Sequence, residues 1–296
     1  MKIGLIDVDS HNFPNIALMK ISAYHKARGD KVKWVWQDFG LFDRVYMSRV
    51  FDDTYSNDYP YKISADDVVK GGTGYDLKNV LPEEIEHQYP DYSLYPRYTE
   101  AYGYLTRGCP RGCPFCIVGE KEGLKSVQVA DLTEFWKDQR EIKLLDPNLL
   151  ACKDHEKLLK QLVESGAWVD FTQGLDVRLL NDDNVKLIEK VKIKNIHFAW
   201  DDTNDDYTPK MLKWFSERTK LDHRRKTVYI LTNFNSEHEQ DLERVYKVRE
   251  MGYSPYVMIY DKPNAPQITR HLQRWANNPI VFKAQPDFAK YDPRRA

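Results

Sequence analysis

From residue 101 onward the sequence repeats a short apolar strand followed by a segment with helical periodicity, and this repeat limits the possible folds more than any other feature. The predicted strands are six, at 101–106, 141–145, 168–172, 195–200, 227–232 and 255–260. The predicted helices between them are at 154–165, 181–190, 208–220 and 237–251. Successive strands joined by helices run parallel with right-handed crossovers. Six strands are too few for a closed eight-stranded barrel of about 250 residues, so the repeat predicts a partial (β/α)6 barrel of the TIM type.

A smaller α/β unit is predicted before this repeat. Residues 2–8 form an apolar strand, residues 14–28 have helical periodicity that stops at Gly29, and residues 31–36 alternate as a strand does. Residues 67–70 form a further strand that runs into a glycine cluster, Gly71-Gly72-Thr73-Gly74. This order predicts a small doubly wound, Rossmann-like domain.

The domain boundaries follow from these patterns. We expect the Rossmann-like domain at 1–80. Residues 81–100 contain Pro82, Pro90 and Pro96, which interrupt regular structure, so we expect a linker there. The partial barrel is expected at 101–262, followed by a C-terminal helix and tail at 263–296.

Composition limits the partners. The chain has 44 basic and 45 acidic residues and a formal net charge of −1, which gives no global attraction to nucleic acid or to anionic membranes. We find neither a secretory signal nor an apolar stretch of about 18 residues, so we expect a cytoplasmic protein without a membrane partner. In a reducing cytosol its four cysteines favour metal or redox chemistry over disulfides.

Three of those cysteines, Cys109, Cys113 and Cys116, lie within eight residues directly after the predicted strand 101–106. Thiolates are the ligands of iron–sulfur clusters, and one loop with this spacing can hold three corners of a cluster. Gly108 and Gly112 allow the tight backbone that such a loop needs. Three ligands leave one iron of a 4Fe–4S cube without a protein partner, where a small molecule can bind.

A structural zinc site and inert thiols are the alternatives for the cysteines, and both are less favoured. Structural zinc needs four ligands, but only Cys152 remains and no histidine lies near the loop. Inert thiols would have no reason to be spaced in this way, whereas Cys152 alone is expected to be a free thiol.

Polar residues follow the predicted strands, where the active sites of parallel barrels lie. They are Asp146, Asn148, Thr172, Gln173, Asp201, Asp202, Asn233, Tyr260 and Asp261. Each one alone is also explained as a helix cap or a turn residue. In the run 172–178, Gln173, Asp176 and Arg178 are candidates for binding ribose hydroxyls or a carboxylate, and Gly174 for close approach to a ligand.

The cysteine loop resembles the CxxxCxφC signature of radical S-adenosylmethionine enzymes, with Phe115 at the aromatic position. The resemblance covers about residues 100–260. It implies that S-adenosylmethionine binds the open iron and that an electron from the reduced 4Fe–4S cluster cleaves it. The resulting 5′-deoxyadenosyl radical then removes a hydrogen atom from a substrate. A flavodoxin- or ferredoxin-like electron donor is implied as well.

The same resemblance assigns roles to individual residues. The run 172–178 is similar to the strand-end segment that contacts S-adenosylmethionine in many members. Asp146-Pro147-Asn148 lies where the family often has a glycine-containing segment that contacts the methionyl amine, although the glycine is missing here. The expected cofactor-binding residues are Phe115, Asp146, Asn148, Gln173, Asp176, Arg178, Asp201 and Asn233.

The N-terminal domain resembles the truncated cobalamin-binding-like domain that precedes many radical S-adenosylmethionine barrels. Asp9 and His11 partly match the DxHxxG loop of cobalamin proteins, but Pro14 replaces the glycine. A vestigial domain, in which Asp9 and His11 cap the 14–28 helix or line the substrate cleft, is therefore favoured over cobalamin bound through His11.

The leading hypothesis is a radical S-adenosylmethionine oxidoreductase or transferase. The alternatives are a cobalamin-dependent radical methyltransferase and a metal-stabilised nucleic-acid-binding module, for which the basic segment 223–226 would grip phosphates. The cysteine sets of methylthiotransferases and of auxiliary-cluster maturases are absent from the sequence. The substrate is not identified, and nucleic acid remains among the candidates.

Overall fold

The structure is a computed structural model, which describes residues 1–11, 13–38 and 40–294. Its internal contacts divide the chain into two units. The first contains Met1–Gly103 and Ala130–Arg140, and the second contains Tyr104–Val129 and Glu141–Ala296. Each unit is a mixed α/β structure with parallel strand pairing.

The first unit is built on a four-stranded sheet with the order β2-β1-β3-β4. All three neighbouring pairs are parallel. The strands are β1 Lys2–Asp7, β2 Lys31–Trp34, β3 Phe42–Ser48 and β4 Ala65–Gly71. The chain moves outward from β1 to β2 and then back past β1 to β3 and β4. This reversal of strand order is typical of a doubly wound sheet, and the parallel α/β structure agrees with the sequence prediction.

Helix α1, Ile16–Ala27, connects β1 to β2 and buries Leu18 and Ile21 against the sheet. Its first turn is capped by Asn15, whose side-chain oxygen accepts a hydrogen bond from the backbone N–H of Leu18 at 3.2 Å. The expectation that Asp9 or His11 caps this helix is wrong. The carboxylate of Asp9 instead accepts hydrogen bonds from the backbone N–H groups of residues 50 and 51, in the loop after β3.

The segment expected to be a linker, 81–100, is part of the first unit. It contains the short helix α2, Glu83–Glu86, and Ile85 of that helix is buried in the same core as Ile3 and Leu18. The prolines interrupt regular structure here without releasing the chain from the core, so this boundary differs from the predicted one.

The larger sheet has six strands in the order β12-β11-β10-β9-β8-β5. The strands are β5 Ala101–Gly103, β8 Glu141–Leu144, β9 Trp168–Phe171, β10 Lys192–Ala199, β11 Lys226–Thr232 and β12 Ser254–Ile259. The pairs from β8 to β12 are parallel. Strand order therefore follows chain order, and each strand lies where the repeat predicts one.

The connections in the second unit are helical, as the repeat predicts. The helices are α4 His155–Ser165, α5 Asp182–Ile188, α6 Tyr207–Arg218, α7 His238–Glu250 and α8 Gln267–Ala276. The predicted terminal helix at 267–277 is α8, and a further short helix, α9 Pro279–Ala284, follows it. Phe198 of β10 shows how the layers pack, because its ring lies edge-on against Phe215 of α6 at 5.2 Å between centroids.

A small hairpin was not expected from the sequence. The predicted strand 101–106 ends at Gly103, and Thr106–Arg107 forms β6, which pairs antiparallel with β7, Val127–Gln128. The hairpin closes the base of the segment between them, which holds the cysteines and the short helix α3, Val118–Glu122. Two-residue strands carry too little periodicity to be recognised.

Among the described residues, no helix is both long enough and apolar enough to cross a membrane.

Candidate functional site

The cysteine loop is held at its base by contacts that leave little space. Gly108 has φ +85°, and a Cβ placed on it would lie 2.2 Å from the carbonyl oxygen of Lys125. Its N–H donates to the carboxylate of Glu122 at 3.1 Å, and the next N–H, that of Cys109, donates to Gly123 O at 3.1 Å. Glycine is therefore required at position 108 both for its backbone angle and for the close approach.

The three loop thiols differ in burial. Cys109 and Cys113 are half-buried, Cys116 is exposed, and Cys152, which is not part of the loop, is buried. Burial raises the pKa of the Cys113 thiol, and the negative charges of Asp201 and of the other two loop thiols raise it further.

The donor set fits a cluster by its chemistry, although the side chains are not arranged around one point. No group of three or more His, Cys, Asp or Glu side chains in the described part of the chain is placed to hold a metal ion. Three thiols in one short loop are nevertheless the ligands that iron–sulfur clusters use. In a 4Fe–4S cluster each of the three thiolates binds a different iron, so these ligands need not converge on one point.

Asp146 lies directly after β8 and holds the start of the cysteine loop. Its carboxylate accepts hydrogen bonds from Leu105 N–H at 3.2 Å and from the Thr106 hydroxyl at 2.7 Å, and it also accepts one from Thr106 N–H. Burial raises the pKa of Asp146 to about 6, and these donors only partly oppose the rise. The observed geometry makes it a support for the loop, with its oxygens already bound to protein donors.

Asn148, also predicted for the site, contacts the loop itself. Its amide nitrogen is 3.5 Å from the Cys109 sulfur and 3.4 Å from a carboxylate oxygen of Asp176. Its backbone carbonyl accepts a hydrogen bond from the Ser126 hydroxyl at 2.9 Å. Asn148 therefore joins the loop after β8 to both ends of the cysteine segment.

Asp176 is the centre of a charged network, and sequence reasoning missed its partner Arg111. Arg111 is a residue of the cysteine loop, and its Nε donates to Asp176, as does Nε of Arg178 at 2.8 Å. Although burial acts in the opposite direction, these two guanidinium groups hold the pKa of Asp176 below its usual value. Arg178 also lies 3.7 Å from Asp205 in the loop after β10. The network therefore links the cysteine loop and the loop after β9 through Asp176, and reaches the loop after β10 through Arg178.

The loop after β9 places its other predicted residues differently. Gln173 is exposed, whereas Gly174, with φ +95°, turns toward the backbone of β10. A Cβ on Gly174 would lie 3.1 Å from the carbonyl oxygen of His197. The close approach for which this glycine was predicted is thus made to protein backbone.

Asp201 follows β10 and lies close enough to Cys113 to affect its titration. Burial raises the pKa of Asp201 to about 6, and the hydrogen bond from Leu231 N–H and the charges of Arg244 and Arg178 only partly offset it. Arg244 of α7, another residue that was not predicted, is buried and donates to the carbonyl oxygens of Trp200 and Leu231, at 2.7 Å each. It therefore fixes the two strand ends beside Asp201.

Aromatic contacts connect the cysteine loop to the last two strands. The ring of Phe115 meets Phe234 edge-on at 5.2 Å, and Phe234 meets Tyr260 in the same way at 4.9 Å. Asn233, the remaining predicted residue, has φ +62° and donates its amide to the Tyr260 carbonyl at 2.9 Å. The structure therefore brings Phe115, Asn233 and Tyr260 into one contact network.

The basic segment 223–226, which the nucleic-acid alternative would use to contact phosphates, lies at the amino end of β11. Together with its neighbours it lines a surface cavity of about 440 Å³, formed by Lys220, Leu221, Asp222, Arg224 and Arg225. Arg224 is paired with Asp222 at 2.9 Å, and Lys226 is buried.

No family model matches this sequence, and no curated protein matches it. A structure with partial similarity is that of Streptococcus suis SuiB bound to S-adenosylmethionine, at 13% sequence identity and a TM-score of 0.43. The match covers 71% of this chain and 52% of SuiB, so this chain spans about half the length of that protein. A TM-score this low is insufficient to transfer an activity or a ligand.

Proposed function

We propose that this chain is a radical S-adenosylmethionine enzyme that holds one 4Fe–4S cluster on Cys109, Cys113 and Cys116. The observation that carries the proposal is the set of three thiols in one loop, which Glu122 and Asp146 anchor at its base and Asn148 contacts from the end of a neighbouring strand.

The sheet of the second unit supports the proposal. Between β8 and β12, each strand lies beside its neighbour in the chain, without the reversal that marks a doubly wound sheet. This order is the one that a partial barrel requires, and we propose that the sheet is such a barrel. In parallel barrels the loops after the strands form the active site.

When bound, the cluster would supply the electron that cleaves S-adenosylmethionine to the 5′-deoxyadenosyl radical, which takes a hydrogen atom from the substrate. A flavodoxin- or ferredoxin-like protein would reduce it. The protein's part is to position and shield the reactants. Asp146 fixes the start of the loop, Asn148 donates toward the Cys109 sulfur, and Asp176 restrains the loop through Arg111.

Among the carboxylates near the thiols, Asp201 is the one that can accept further hydrogen bonds. Its hydrogen bond from Leu231 N–H is a long one, 3.3 Å, so it can still accept hydrogen bonds from an ammonium group or from hydroxyls. Asp176 is already bound to two guanidinium groups. We therefore favour Asp201 over Asp176 as the acidic contact to S-adenosylmethionine.

The test is anaerobic reconstitution of the full chain with iron and sulfide, followed by metal and sulfide analysis. We expect about four irons and about four sulfides for each chain, and 5′-deoxyadenosine when the reduced protein meets S-adenosylmethionine. Cys109→Ala, Cys113→Ala and Cys116→Ala should each abolish both results.

Cys152→Ala is the matched control, because Cys152 is a buried thiol outside the cysteine loop in sequence and should be irrelevant to the cluster. The proposal fails if the wild-type protein takes up no iron, or if one zinc without sulfide is bound instead. It also fails if Cys152→Ala loses iron as the loop variants do.

A further inference from the structure

In the second unit, one face of strands β9 to β12 carries chemical groups that the cysteine site does not use. Val228, Ile230 and Val257 are fully buried on the face that α7 and α8 cover. Because side chains alternate along a strand, Tyr229 and Met258 point to the other face. We call this second face the open face and define it by Asp170, Asn195, His197, Tyr229, Tyr256 and Met258.

The ring of His197 is held in one tautomer. Its Nδ1 lies 3.0 Å from the carbonyl oxygen of Phe171, which can only accept, so Nδ1 carries a hydrogen. Burial lowers the pKa of His197, and the nearby charge of Asp170 only partly opposes this. The neutral ring therefore has its lone pair on Nε2, for which the described residues provide no hydrogen-bond partner.

Asp170 stabilises this arrangement and is itself incompletely satisfied. Asn195 donates to one of its carboxylate oxygens at 3.1 Å. The other oxygen is buried, has no hydrogen-bond partner among the described residues, and lies 3.6 Å from Nδ1 of His197. A buried acceptor without a partner costs stability, so its retention beside an oriented imidazole points to a functional site.

Tyr229 fixes the plane of the imidazole. The two rings are stacked with centroids 5.1 Å apart and only 9° between their planes. The Tyr229 hydroxyl donates to Thr172 O at 2.8 Å, so the phenol cannot turn away. A ligand can therefore approach His197 only at the ring edge that carries Nε2.

The neighbouring edge strand supplies an apolar surface. Tyr256, Met258 and Tyr260 alternate along β12 and beyond its end, and they are 44%, 46% and 43% exposed. The ring of Tyr256 meets Tyr229 edge-on at 5.6 Å, and Tyr260 leads through Phe234 to the cysteine loop. The apolar surface therefore extends from the imidazole toward the proposed cluster.

We infer that the open face binds an aromatic ring that carries an N–H or O–H donor. The donor would point at Nε2 of His197, and the ring would pack against Tyr256 and Met258. Identifying this ring as part of the substrate rests on the proposed function, whereas the binding itself does not.

The charges on the open face exclude other ligands. Asp170 repels anions, and the neutral His197 offers them no positive charge. Lys143, in register with Asp170 on β8, is half-buried and has interactions of its own. A cation would seek the Asp170 carboxylate, but its unpaired oxygen is buried. An uncharged ring with a donor meets neither obstacle, and aromatic and thioether side chains pack well against it.

The test uses the full chain without metal, so that its outcome is independent of cluster chemistry. The probes are two matched pairs, indole with 1-methylindole and phenol with anisole, in which only the first member has a donor. Binding is followed by NMR through the ring nitrogens of 15N-labelled histidine. We expect indole or phenol to shift the Nε2 resonance of His197 and to bind about threefold to tenfold more tightly than its methylated partner. The pair that shows the difference distinguishes an N–H from an O–H ligand.

Two variants complete the test. In His197→Phe the acceptor is lost but ring stacking on Tyr229 is retained, so each methylated probe should bind as tightly as its partner. Tyr256→Ala should weaken all four probes, whereas Tyr207→Ala, an exposed tyrosine on α6, should change none. The wild-type histidine tautomer, read from long-range proton–nitrogen correlations, provides a measurement that needs no variant.

Three results would overturn the inference. They are an Nδ1 of His197 without a hydrogen, equal binding of each donor probe and its methylated partner by wild-type protein, and no binding of any ring. If the reconstituted protein binds no cluster but the donor probes still bind, the proposed function fails and the ring site stands.

Discussion

At the scale of single residues, the loops of the second unit depend on buried carboxylates whose oxygens already bind donors of the protein itself. Asp146 binds three protein donors and Asp176 is paired with two arginines. Their sequence positions correctly indicated the ends of strands, but their hydrogen-bond capacity could be known only from the folded structure. Prediction of ligand contact from position alone therefore overestimates the number of acids available to a ligand.

Asp146 makes the stability of the protein depend on pH. Its pKa of about 6 in the folded state exceeds the unfolded value of 3.8, so its contribution to stability is complete below pH 3.8 and is lost as the pH rises through about 6. The loss corresponds to about 3 kcal/mol. We expect Asp146→Asn to remove this dependence and to cost about 1–3 kcal/mol at low pH, because the amide leaves one N–H donor unpaired.

Urea unfolding of the metal-free protein at several pH values between about 4 and 7.5 checks this prediction. The deficit of Asp146→Asn relative to wild type should shrink as the pH rises. Asp183→Asn, at an exposed carboxyl of α5, is the control and should show a constant difference. A deficit that grows with pH would contradict the assignment.

Gly108 provides a prediction about the base of the cysteine loop. Gly108→Ala should destabilise the protein through both its positive φ and the 2.2 Å approach of the new Cβ to Lys125 O. Gly123→Ala isolates the first effect, since Gly123 has φ +91° and a Cβ placed on it would have nothing within 4 Å. We expect Gly108→Ala to lower the free energy of unfolding by at least about 1 kcal/mol more than Gly123→Ala does. Equal losses in a denaturant titration would show that the loop relaxes freely.

At the scale of elements, α7 carries the charge that fixes two strand ends. Arg244 and Asp241, one turn apart, are buried at 3% and 2% side-chain exposure and form an ion pair. The buried arginine satisfies the Trp200 and Leu231 carbonyl groups, which explains a charged residue among the apolar positions of this helix. Helical periodicity predicted α7 but could not predict this pair, because charged residues are rarely found at the buried positions of a helix.

Arg244→Met should cost about 3–5 kcal/mol, because it leaves Asp241 as an uncompensated buried charge. Adding Asp241→Asn to that variant should restore part of the loss. Lys247→Met on the same helix, which removes an exposed ion pair with Glu243, should change the free energy of unfolding by less than about 1 kcal/mol. The prediction is wrong if Arg244→Met and Lys247→Met have similar unfolding midpoints in urea.

At the scale of the whole molecule, the two units are interleaved in sequence. Residues 130–140 belong to the first unit, although the cysteine loop precedes them. Phe135 packs so closely over Gly103 that a Cβ there would lie 2.2 Å from its ring, and the Tyr92 hydroxyl donates to Phe135 O at 2.7 Å. A cut between 80 and 101 therefore does not separate two independent modules.

A chain shortened to residues 104–296 should consequently fail to unfold cooperatively, because Phe135 and its neighbours lose their packing partners. Circular dichroism during urea titration, compared with the full chain, checks this expectation. Removal of 285–296 alone is the control for shortening, and we expect a cooperative transition to remain. A sharp transition in the 104–296 chain would show that its second unit is self-sufficient.

The sequence was most informative where periodicity extends over a whole element. The six strands of the larger sheet and α4 to α8 were predicted close to their observed bounds, because each buries one face. The β6–β7 hairpin and the return of residues 130–140 to the first unit are products of tertiary contacts. Local pattern contains no signal for them. The same holds for the site. The spacing of the cysteines is visible in the sequence, but the roles of Arg111 and His197 depend on contacts with residues distant in sequence.

The interleaving also has a consequence for biosynthesis. Proteins are synthesised from the N-terminus to the C-terminus, and domains generally fold in the order in which they emerge from the ribosome. The first unit, however, cannot acquire its last segment until residue 140 has emerged, by which time the three cysteines have already been synthesised. Once the first unit is complete, the residues on both sides of the cysteine segment are fixed in it, while most strands of the larger sheet have not yet been synthesised. The nascent chain therefore carries its three thiols on a loop whose two ends are already anchored.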